Sequence, residues 1–138
     1  MLEAPGAQPA GAVQALLAGV TAWARAAPPV VAVLLVGSRA RGTARANSDV
    51  DFVILTPSPR ALLDNDEWLR RFGILERHRV ERHGRLTSLR AFYRGGLEVE
   101  FGLTTPDWAE PPFDPGTERV LRDGYRVLFG PWRRLSGV

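Results

Sequence analysis

The fold is decided by residues 30–55, which read VVAVLLVGSRARGTARANSDVDFVIL. Residues 30–36 form an unbroken apolar run, and a short valine-rich run of this kind predicts a central strand that is covered on both faces. Residues 37–48 lack an apolar stripe and predict a turn with at most a short helix. Residues 48–55 predict a second strand, with two carboxylates at its entrance. We therefore expect two buried strands separated by a short polar segment.

The sequence on either side of this stretch predicts further helices and a β-hairpin. Apolar residues at three- and four-residue steps predict a helix that ends at Pro28-Pro29, and alternating residues around Gly95-Gly96 predict the hairpin. The predicted elements are, in chain order, a helix over 10–27, strands over 30–36 and 48–55, a loop over 56–60, a helix from Asp64 or Asn65 to Arg71 that stops at Gly73, a hairpin over 85–103, a helix over 117–122 and a strand over 125–129. This order predicts an α+β fold with a short mixed β-sheet flanked by helices.

The composition excludes several kinds of chemistry. The chain has no cysteine, which rules out disulfides, thiolate metal sites and thiol nucleophiles. All 18 of its basic residues are arginine, so Schiff-base chemistry and a lysine-bearing phosphate loop are excluded as well. Any metal site must therefore use oxygen or imidazole ligands.

The length of 138 residues predicts one domain. Residues 1–10 contain two prolines and little to bury, so we expect a flexible leader there and a single domain over residues 11–138. The sequence has no signal-like start and no run approaching the roughly 18 apolar residues of a membrane span. A cytoplasmic protein without a membrane segment is therefore expected.

Asp49 and Asp51 stand two residues apart in the second predicted strand, so their side chains point to the same side of the sheet. Their mutual repulsion is unfavourable at the start of a buried strand unless a cation lies between them. Oxygen ligands favour Mg²⁺ or Mn²⁺. The alternative interpretation is that one carboxylate caps a turn and the other is solvated.

The segment between the two predicted strands suits a phosphate group. A glycine allows the backbone to approach a phosphate closely, and a serine hydroxyl, backbone N–H groups and arginines can bind it. An ordinary strand-to-helix turn with exposed arginines is the alternative interpretation. Because the segment shortly precedes the acidic pair, we interpret it as a phosphate-binding segment. Its candidate residues are Gly37, Ser38, Arg39 and Arg41.

Glu98 and Glu100, on the second arm of the predicted hairpin, form another acidic pair on one face. With a two-residue turn at Gly95-Gly96, Tyr93 faces Glu98 and Ala91 faces Glu100. The small Ala91 side chain leaves space for a metal ion, so Glu100 is the predicted third carboxylate and Glu98 is the alternative. Both glutamates could instead be exposed strand charges.

Two stretches together resemble the signature of a known superfamily. Residues 37–42, which read GSRARG, and residues 48–53, which read SDVDFV, resemble the DNA polymerase β-type nucleotidyltransferases, and more narrowly the minimal nucleotidyltransferases. Residues 98–102 resemble a third motif, and residues 125–129 resemble the closing strand of the domain. The resemblance implies a polymerase β-like palm fold that binds a nucleoside triphosphate with two Mg²⁺ or Mn²⁺ ions. It further implies transfer of a nucleotidyl group, AMP from ATP, to a hydroxyl with release of pyrophosphate.

The resemblance also implies roles for the candidate residues. The implied metal ligands are Asp49, Asp51 and Glu100, with Glu98 as the alternative to Glu100. Glu100 would in addition take the proton from the acceptor hydroxyl. The phosphate-binding segment would hold the β- and γ-phosphates of the leaving pyrophosphate, with Arg39 or Arg41 neutralising their charge.

The acceptor and the partners stay open at this point. The resemblance implies either a hydroxyl on a protein partner, such as a HEPN-type toxin of a toxin–antitoxin pair, or an aminoglycoside-like small molecule bound at a homodimer interface. A non-catalytic, antitoxin-like protein that binds nucleotide or a partner is the alternative function. Residues 70–94 carry a local charge of about +6, but no aromatic stacking set interleaves the arginines, so a nucleic acid partner is not expected. His78 and His83, within this stretch, are expected to be surface residues.

Overall fold

The computed structural model describes residues 11–27 and 29–130 of the chain. The helices are α1 (Ala12–Ala26), α2 (Gly37–Arg41), α3 (Pro59–Asp64) and α4 (Pro115–Asp123), with 3₁₀ helices at Asp66–Phe72 and Pro106–Ala109. The strands are β1 (Ala32–Val36), β2 (Val50–Leu55), β3 (Leu75–His83), β4 (Leu86–Tyr93), β5 (Glu98–Thr104) and β6 (Arg126–Phe129).

The strands in these described ranges form one mixed sheet in the order β3-β4-β5-β2-β1-β6. Strand β1 lies antiparallel between β2 and β6, and it is buried along its whole length. Strand β2 runs parallel to β5, and β5 continues into β4 and β3 as an antiparallel ribbon. The predicted α+β fold, with a mixed sheet flanked by helices and a buried β1, is therefore confirmed.

One face of the sheet carries the larger hydrophobic core. Helix α1 and the 3₁₀ helix Asp66–Phe72 cover this face with buried apolar side chains. The rings of Trp23 and Trp68 stack with centroids 4.9 Å apart, and Trp68 contacts Phe101 of β5 edge-on at 5.0 Å. Phe52 of β2 stacks on Phe101 at 5.5 Å. Because large aromatic rings bury much apolar area, this cluster holds β2 and β5 firmly side by side.

The opposite face of the sheet is only partly covered. Trp108 and Leu121, from the second 3₁₀ helix and from α4, pack on Leu34, Val53 and other apolar residues of β1 and β2. The acidic side chains at the entrances of β2 and β5 lie on the same face and are half-buried. The sheet therefore has an apolar half under α4 and a charged half beside it.

The segment between β2 and β3 contains one more helix than the sequence predicted. The predicted loop over 56–60 ends early, because Pro59 begins α3, a position where its missing N–H is not needed. The helix predicted from Asp64 or Asn65 is present as a 3₁₀ helix. Oδ1 of Asn65 caps it by accepting the N–H of Glu67 at 3.1 Å, and the helix ends at Gly73 as predicted.

Strand β3 is the main element that the sequence did not reveal. Most of its side chains are exposed on both faces, so it lacks the alternation of apolar and polar residues that marks a half-buried strand. Its backbone pairs with β4 along its length, and the guanidinium of Arg77 lies 4.0 Å from the centre of the Phe92 ring. Charged side chains and a twisted edge are common in strands at the border of a sheet.

The loop of the predicted hairpin is one residue longer than expected. The N–H of Tyr93 donates to the carbonyl of Leu97 at 2.9 Å, so three residues, Arg94, Gly95 and Gly96, connect β4 and β5. Both glycines have positive φ, 98° and 94°, which a glycine adopts without steric cost. Every cross-strand pair of the hairpin is therefore shifted by one residue.

The shifted register changes what lies beside Glu100. Arg90, not Ala91, faces Glu100, and the predicted pairing of Tyr93 with Glu98 is wrong as well. Ala91 and Tyr93 are buried in the larger core on the other face of the sheet. The space that was expected beside Glu100 is therefore occupied by a guanidinium group.

Some sequence predictions lie outside the described residues. These are the flexible leader over 1–10 and the end of the first helix at Pro28, and the assignment of 11–138 to a single domain stays a prediction. Over the ranges 11–27 and 29–130, none of the helices is both long and apolar enough to cross a membrane.

Candidate active site

Asp49 and Asp51 lie at the entrance of β2, on the charged half of the sheet. Val50 and Phe52 are buried in the aromatic core, at 0% and 1% exposure, so the alternation of the strand turns both carboxylates to the opposite face. Across the parallel pair, Asp51 lies next to Glu100 of β5. The two acidic pairs found in the sequence therefore meet on one face.

Three carboxylates converge at this position. Asp49, Asp51 and Glu100 each offer an oxygen, and these oxygens lie within 4.8 Å of one another. All three residues line a cavity of about 410 Å³. Burial, together with the charges of Asp49 and Glu100, raises the pKa of Asp51 from 3.8 to about 7. Because such a group of oxygens is stabilised by a cation, the donor set fits a hard divalent ion such as Mg²⁺ or Mn²⁺.

Gly37 brings the backbone of α2 against this group. Its φ is 74°, and a Cβ atom at this position would lie 2.3 Å from Oδ2 of Asp51. A larger residue would therefore both strain the backbone and displace the carboxylate. Gly37 also lines the acidic cavity, so the phosphate-binding segment predicted from the sequence starts at the edge of the carboxylate group.

The structure separates the two arginines of that segment. Arg41 lines the acidic cavity. Arg39 turns to the loop after α2, where its guanidinium donates to the carbonyl of Ser48 at 2.7 Å, and it lines a different cavity of about 390 Å³. Ser38 is half-buried in α2, and its carbonyl accepts the N–H of Thr43 at 3.0 Å. Of the two candidate arginines, Arg41 is the one that lines the same cavity as the carboxylates.

Arg90 is a central residue of the site that sequence reasoning missed as a candidate. Its side chain is only 14% exposed. Among the described residues its guanidinium donates to Asp49 Oδ2 at 3.0 Å, to Glu98 Oε2 at 2.6 Å, to Glu81 Oε1 at 3.1 Å and to Glu100 Oε1. Burial alone would lower the pKa of Arg90, but the hydrogen bonds to Asp49 and Glu98 raise it above its ordinary value. The correct hairpin register would have placed Arg90 opposite Glu100 and so identified it.

The two glutamates of β5 occupy different positions. Glu100 joins the group with Asp49 and Asp51, and its Oε2 accepts a hydrogen bond from Ser88 Oγ at 3.1 Å. Glu98 is 38% exposed and pairs with Arg90. The geometry therefore brings Glu100, rather than Glu98, to the other two predicted ligands.

Strand β3 adds two further groups to the edge of the site. Glu81 accepts hydrogen bonds from Arg79 at 2.7 Å and from Arg90, and these bonds lower its pKa to about 2. His83 is half exposed, in agreement with the predicted surface position. It also lines the acidic cavity, and its Nε2 lies 3.3 Å from Glu81 Oε1. The two-residue spacing of Glu81 and His83 places them on one face of a strand, and this spacing could have revealed them had β3 been recognised.

The comparisons with known proteins agree with this architecture. Residues 20–93, more than half of the chain, match the model of the nucleotidyltransferase domain family. An aminoglycoside 6-adenyltransferase from Bacillus subtilis is similar in structure, with a TM-score of 0.52 and 14% identity over 70% of this chain and 35% of that one. A cytoplasmic RNA terminal U-transferase is similar with a TM-score of 0.51 and 20% identity over 67% of this chain and 29% of that one.

These neighbours are considerably longer than this chain, which spans about a third of the length of each. No curated protein matched the chain in a sequence search. The structural similarity confirms the fold that the sequence resemblance implied, and the match to the family model covers β1, β2 and the segment between them. The chain therefore belongs to the nucleotidyltransferase domain family.

Proposed function

We propose that this protein transfers AMP from ATP to a hydroxyl group and releases pyrophosphate, as a minimal nucleotidyltransferase. The observation that carries the proposal is the convergence of oxygens of Asp49, Asp51 and Glu100 within 4.8 Å. Gly37 lies against this group, at a position with no room for a Cβ atom. In-line displacement at a phosphate needs convergent carboxylates and no covalent nucleophile. This agrees with the site, which contains neither cysteine nor lysine.

The residues divide into two groups in this proposal. Asp49, Asp51 and Glu100 would hold divalent metal, Mg²⁺ or Mn²⁺, which supplies charge neutralisation for the triphosphate and for the attacking hydroxyl. Glu100 accepts the proton of the acceptor hydroxyl, a role that requires hydrogen-bond reach in the substrate complex. Gly37 and Ser38 receive the β- and γ-phosphates at the start of α2, and Arg41 neutralises their charge. We assign this last role to Arg41 rather than Arg39 because Arg41 lines the acidic cavity.

We propose a hydroxyl of a small molecule or of a protein partner as the acceptor. The similarity to an aminoglycoside 6-adenyltransferase supports a small-molecule acceptor and an adenylyl donor. A HEPN-type protein partner, or a second copy of the chain, is the alternative source of the acceptor hydroxyl or of residues that bind the acceptor. RNA, the acceptor named for the uridylyltransferase neighbour, is the less favoured acceptor, because the arginines of β3 are not interleaved with aromatic residues for stacking.

The test is transfer of label from ATP labelled at the α-phosphate, with Mg²⁺ or Mn²⁺, into a lysate of the source organism. GTP, CTP and UTP labelled in the same way report the base preference. Protein, RNA and small-molecule fractions are analysed separately. The Asp49→Asn/Asp51→Asn double variant should lose the transfer, and Asp64→Asn, which alters an exposed carboxylate of α3, should retain it.

The outcomes discriminate the acceptors and the alternative function. Label in one protein band identifies a protein-modifying enzyme and its target, and label in small molecules identifies a metabolite or antibiotic-like acceptor. Label in RNA contradicts the acceptor class proposed here. Absence of label in every fraction, with metal-dependent binding of ATP retained, favours the alternative of a non-catalytic, antitoxin-like binding protein. The guanidinium of Arg90 within the carboxylate group is the observation that keeps this alternative worth testing.

A further inference from the structure

The charged half of the sheet holds more acidic groups than the three implied ligands. Adjacent strands place the carboxylates of Asp51, Glu81, Glu98 and Glu100 on this face. Asp49 directly precedes β2 and adds a fifth carboxylate, which accepts a hydrogen bond from Arg90. The strand pairing places four residues in one row across β3, β4, β5 and β2, and these are Arg79, Arg90, Glu100 and Asp51. Arg90 is thus the residue of β4 in the centre of the acidic face.

The guanidinium of Arg90 donates hydrogen bonds through all three of its nitrogens on this face. Nε donates to both oxygens of Glu81, at 3.1 and 3.2 Å. Nη1 donates to Asp49 at 3.0 Å and to Glu98 at 2.6 Å, and Nη2 donates to Glu100. An arginine keeps its charge at any relevant pH and presents its donors in a rigid plane, so it is a stable cation for such a cluster.

Arg90 forms hydrogen bonds with some oxygens of the three implied ligands and not with others. Arg90 binds Oδ2 of Asp49 and Oε1 of Glu100. Among the hydrogen bonds described, neither oxygen of Asp51 accepts from Arg90. Both oxygens of Asp51 and the second oxygens of Asp49 and Glu100 thus have no described hydrogen bond from Arg90, and Oε2 of Glu100 accepts one from Ser88. These are the oxygens that could bind a metal ion while Arg90 keeps its place.

We propose that Arg90 is the resident cation of this face and takes the place of one of the two divalent ions, so that the site binds a single Mg²⁺ or Mn²⁺. The inference rests on the proposed function and refines its metal requirement. Arg90 is then a positioning residue, because it holds Asp49 through Oδ2 and Glu100 through Oε1. The carboxylate of Asp51 is left to be neutralised by the added ion. Five carboxylates outnumber the guanidiniums of Arg90, Arg79 and Arg41, so a divalent ion is still attracted with Arg90 in place.

The test counts Mn²⁺ ions bound per chain, with a non-hydrolysable ATP analogue present, from the electron paramagnetic resonance signal of free Mn²⁺. Ions that persist in the Asp49→Asn/Asp51→Asn double variant are subtracted, because they bind elsewhere. We expect one ion in the wild type. Arg90→Met removes the charge and retains an apolar stem, and we expect this variant to bind two ions.

Two further variants separate the charge of Arg90 from its packing. Arg79→Met removes a guanidinium from the same face, but this side chain is 57% exposed and contacts Glu81 rather than the implied ligands, so one ion is expected. Arg90→Lys retains a cation, and one ion is expected here too. If Arg90→Met proves unfolded by circular dichroism, the wild type and Arg90→Lys still decide the inference, because both must bind one ion.

The result that overturns the inference is two ions per chain in the wild type, since Arg90 would then exclude none. One ion in folded Arg90→Met with unchanged affinity also overturns it. Absence of any site-specific ion in the wild type overturns the metal assignment of the proposed function itself. Two ions in the wild type, by contrast, leave that function intact and refute only the role of Arg90.

Discussion

Asp51→Asn should stabilise the metal-free protein at high pH, and the size of this effect follows from the site. The pKa of Asp51 is raised from 3.8 to about 7 by burial and by the charges of Asp49 and Glu100. In the unfolded chain the carboxyl ionises near its ordinary pKa, so the folded state holds its proton more tightly. Stability is therefore lost as pH rises from about 4 towards 7, because ionisation in the folded site is unfavourable.

The magnitude is given by the difference between the two pKa values. A difference of about 3 corresponds to about 4 kcal/mol in the free energy of unfolding at pH 8, where the carboxyl is ionised in both states. Asparagine has nearly the same shape and no charge, so the variant should escape this loss. The free energy of unfolding of Asp51→Asn, relative to the wild type, should rise by about 4 kcal/mol between pH 4 and pH 8.

Urea unfolding in the presence of EDTA, at four or five pH values from 4 to 8, measures this difference. Asp64→Asn is the control, because the carboxylate of Asp64 is exposed. The free energy of unfolding of this variant should differ little from that of the wild type across the pH range. Added Mg²⁺ should stabilise the wild type at pH 8 and should have much less effect on Asp51→Asn. A difference between Asp51→Asn and the wild type that stays constant from pH 4 to pH 8 would refute the electrostatic account of the site.

Three further predictions concern single residues. Gly37→Ala should weaken Mn²⁺ binding and lower nucleotidyl transfer at least about tenfold, because the added Cβ displaces Asp51 and the residue has positive φ; unchanged Mn²⁺ affinity would contradict this. Glu100→Gln should lower kcat about 100-fold or more while ATP binding changes little, and Glu98→Gln should have a much smaller effect on kcat. If steady-state kinetics show a larger loss of kcat in Glu98→Gln than in Glu100→Gln, Glu100 is excluded as the base. Asp114→Ala should lower the free energy of unfolding by about 1 kcal/mol, since Asp114 Oδ1 caps α4 through the N–H of Thr117 at 2.8 Å, and urea unfolding measures this directly.

The parts of the fold that the sequence predicted are those with a strong hydrophobic pattern. The continuous apolar run of β1 and the run after Asp51 are short and rich in valine, and they fit buried strands better than helices. The steps of three and four residues in α1 indicated one buried helix face. The acidic pairs at Asp49/Asp51 and Glu98/Glu100 followed from strand alternation alone. Neither pair therefore needs a tertiary contact to be predicted.

The parts that the sequence did not predict depend on tertiary contacts. Most side chains of β3 are exposed on both faces, so its sequence lacks the apolar and polar alternation of a strand. Its extended backbone is held by the pairing with β4. The hairpin register depends on whether two or three residues form the loop at Gly95-Gly96, and either length satisfies the local pattern. The error of one residue hid Arg90, which is the residue that reaches across to both acidic pairs.

The proposed reaction transfers the nucleotidyl part of the triphosphate and not its terminal phosphate. The most direct measurement compares ATP labelled at the α-phosphate with ATP labelled at the γ-phosphate, in parallel reactions with lysate and Mg²⁺ or Mn²⁺. We expect acceptor labelling from the α-phosphate alone, γ-label recovered in pyrophosphate, and loss of both signals in the Asp49→Asn/Asp51→Asn variant. Acceptor labelling from the γ-phosphate, or equal labelling by the double variant, would contradict it.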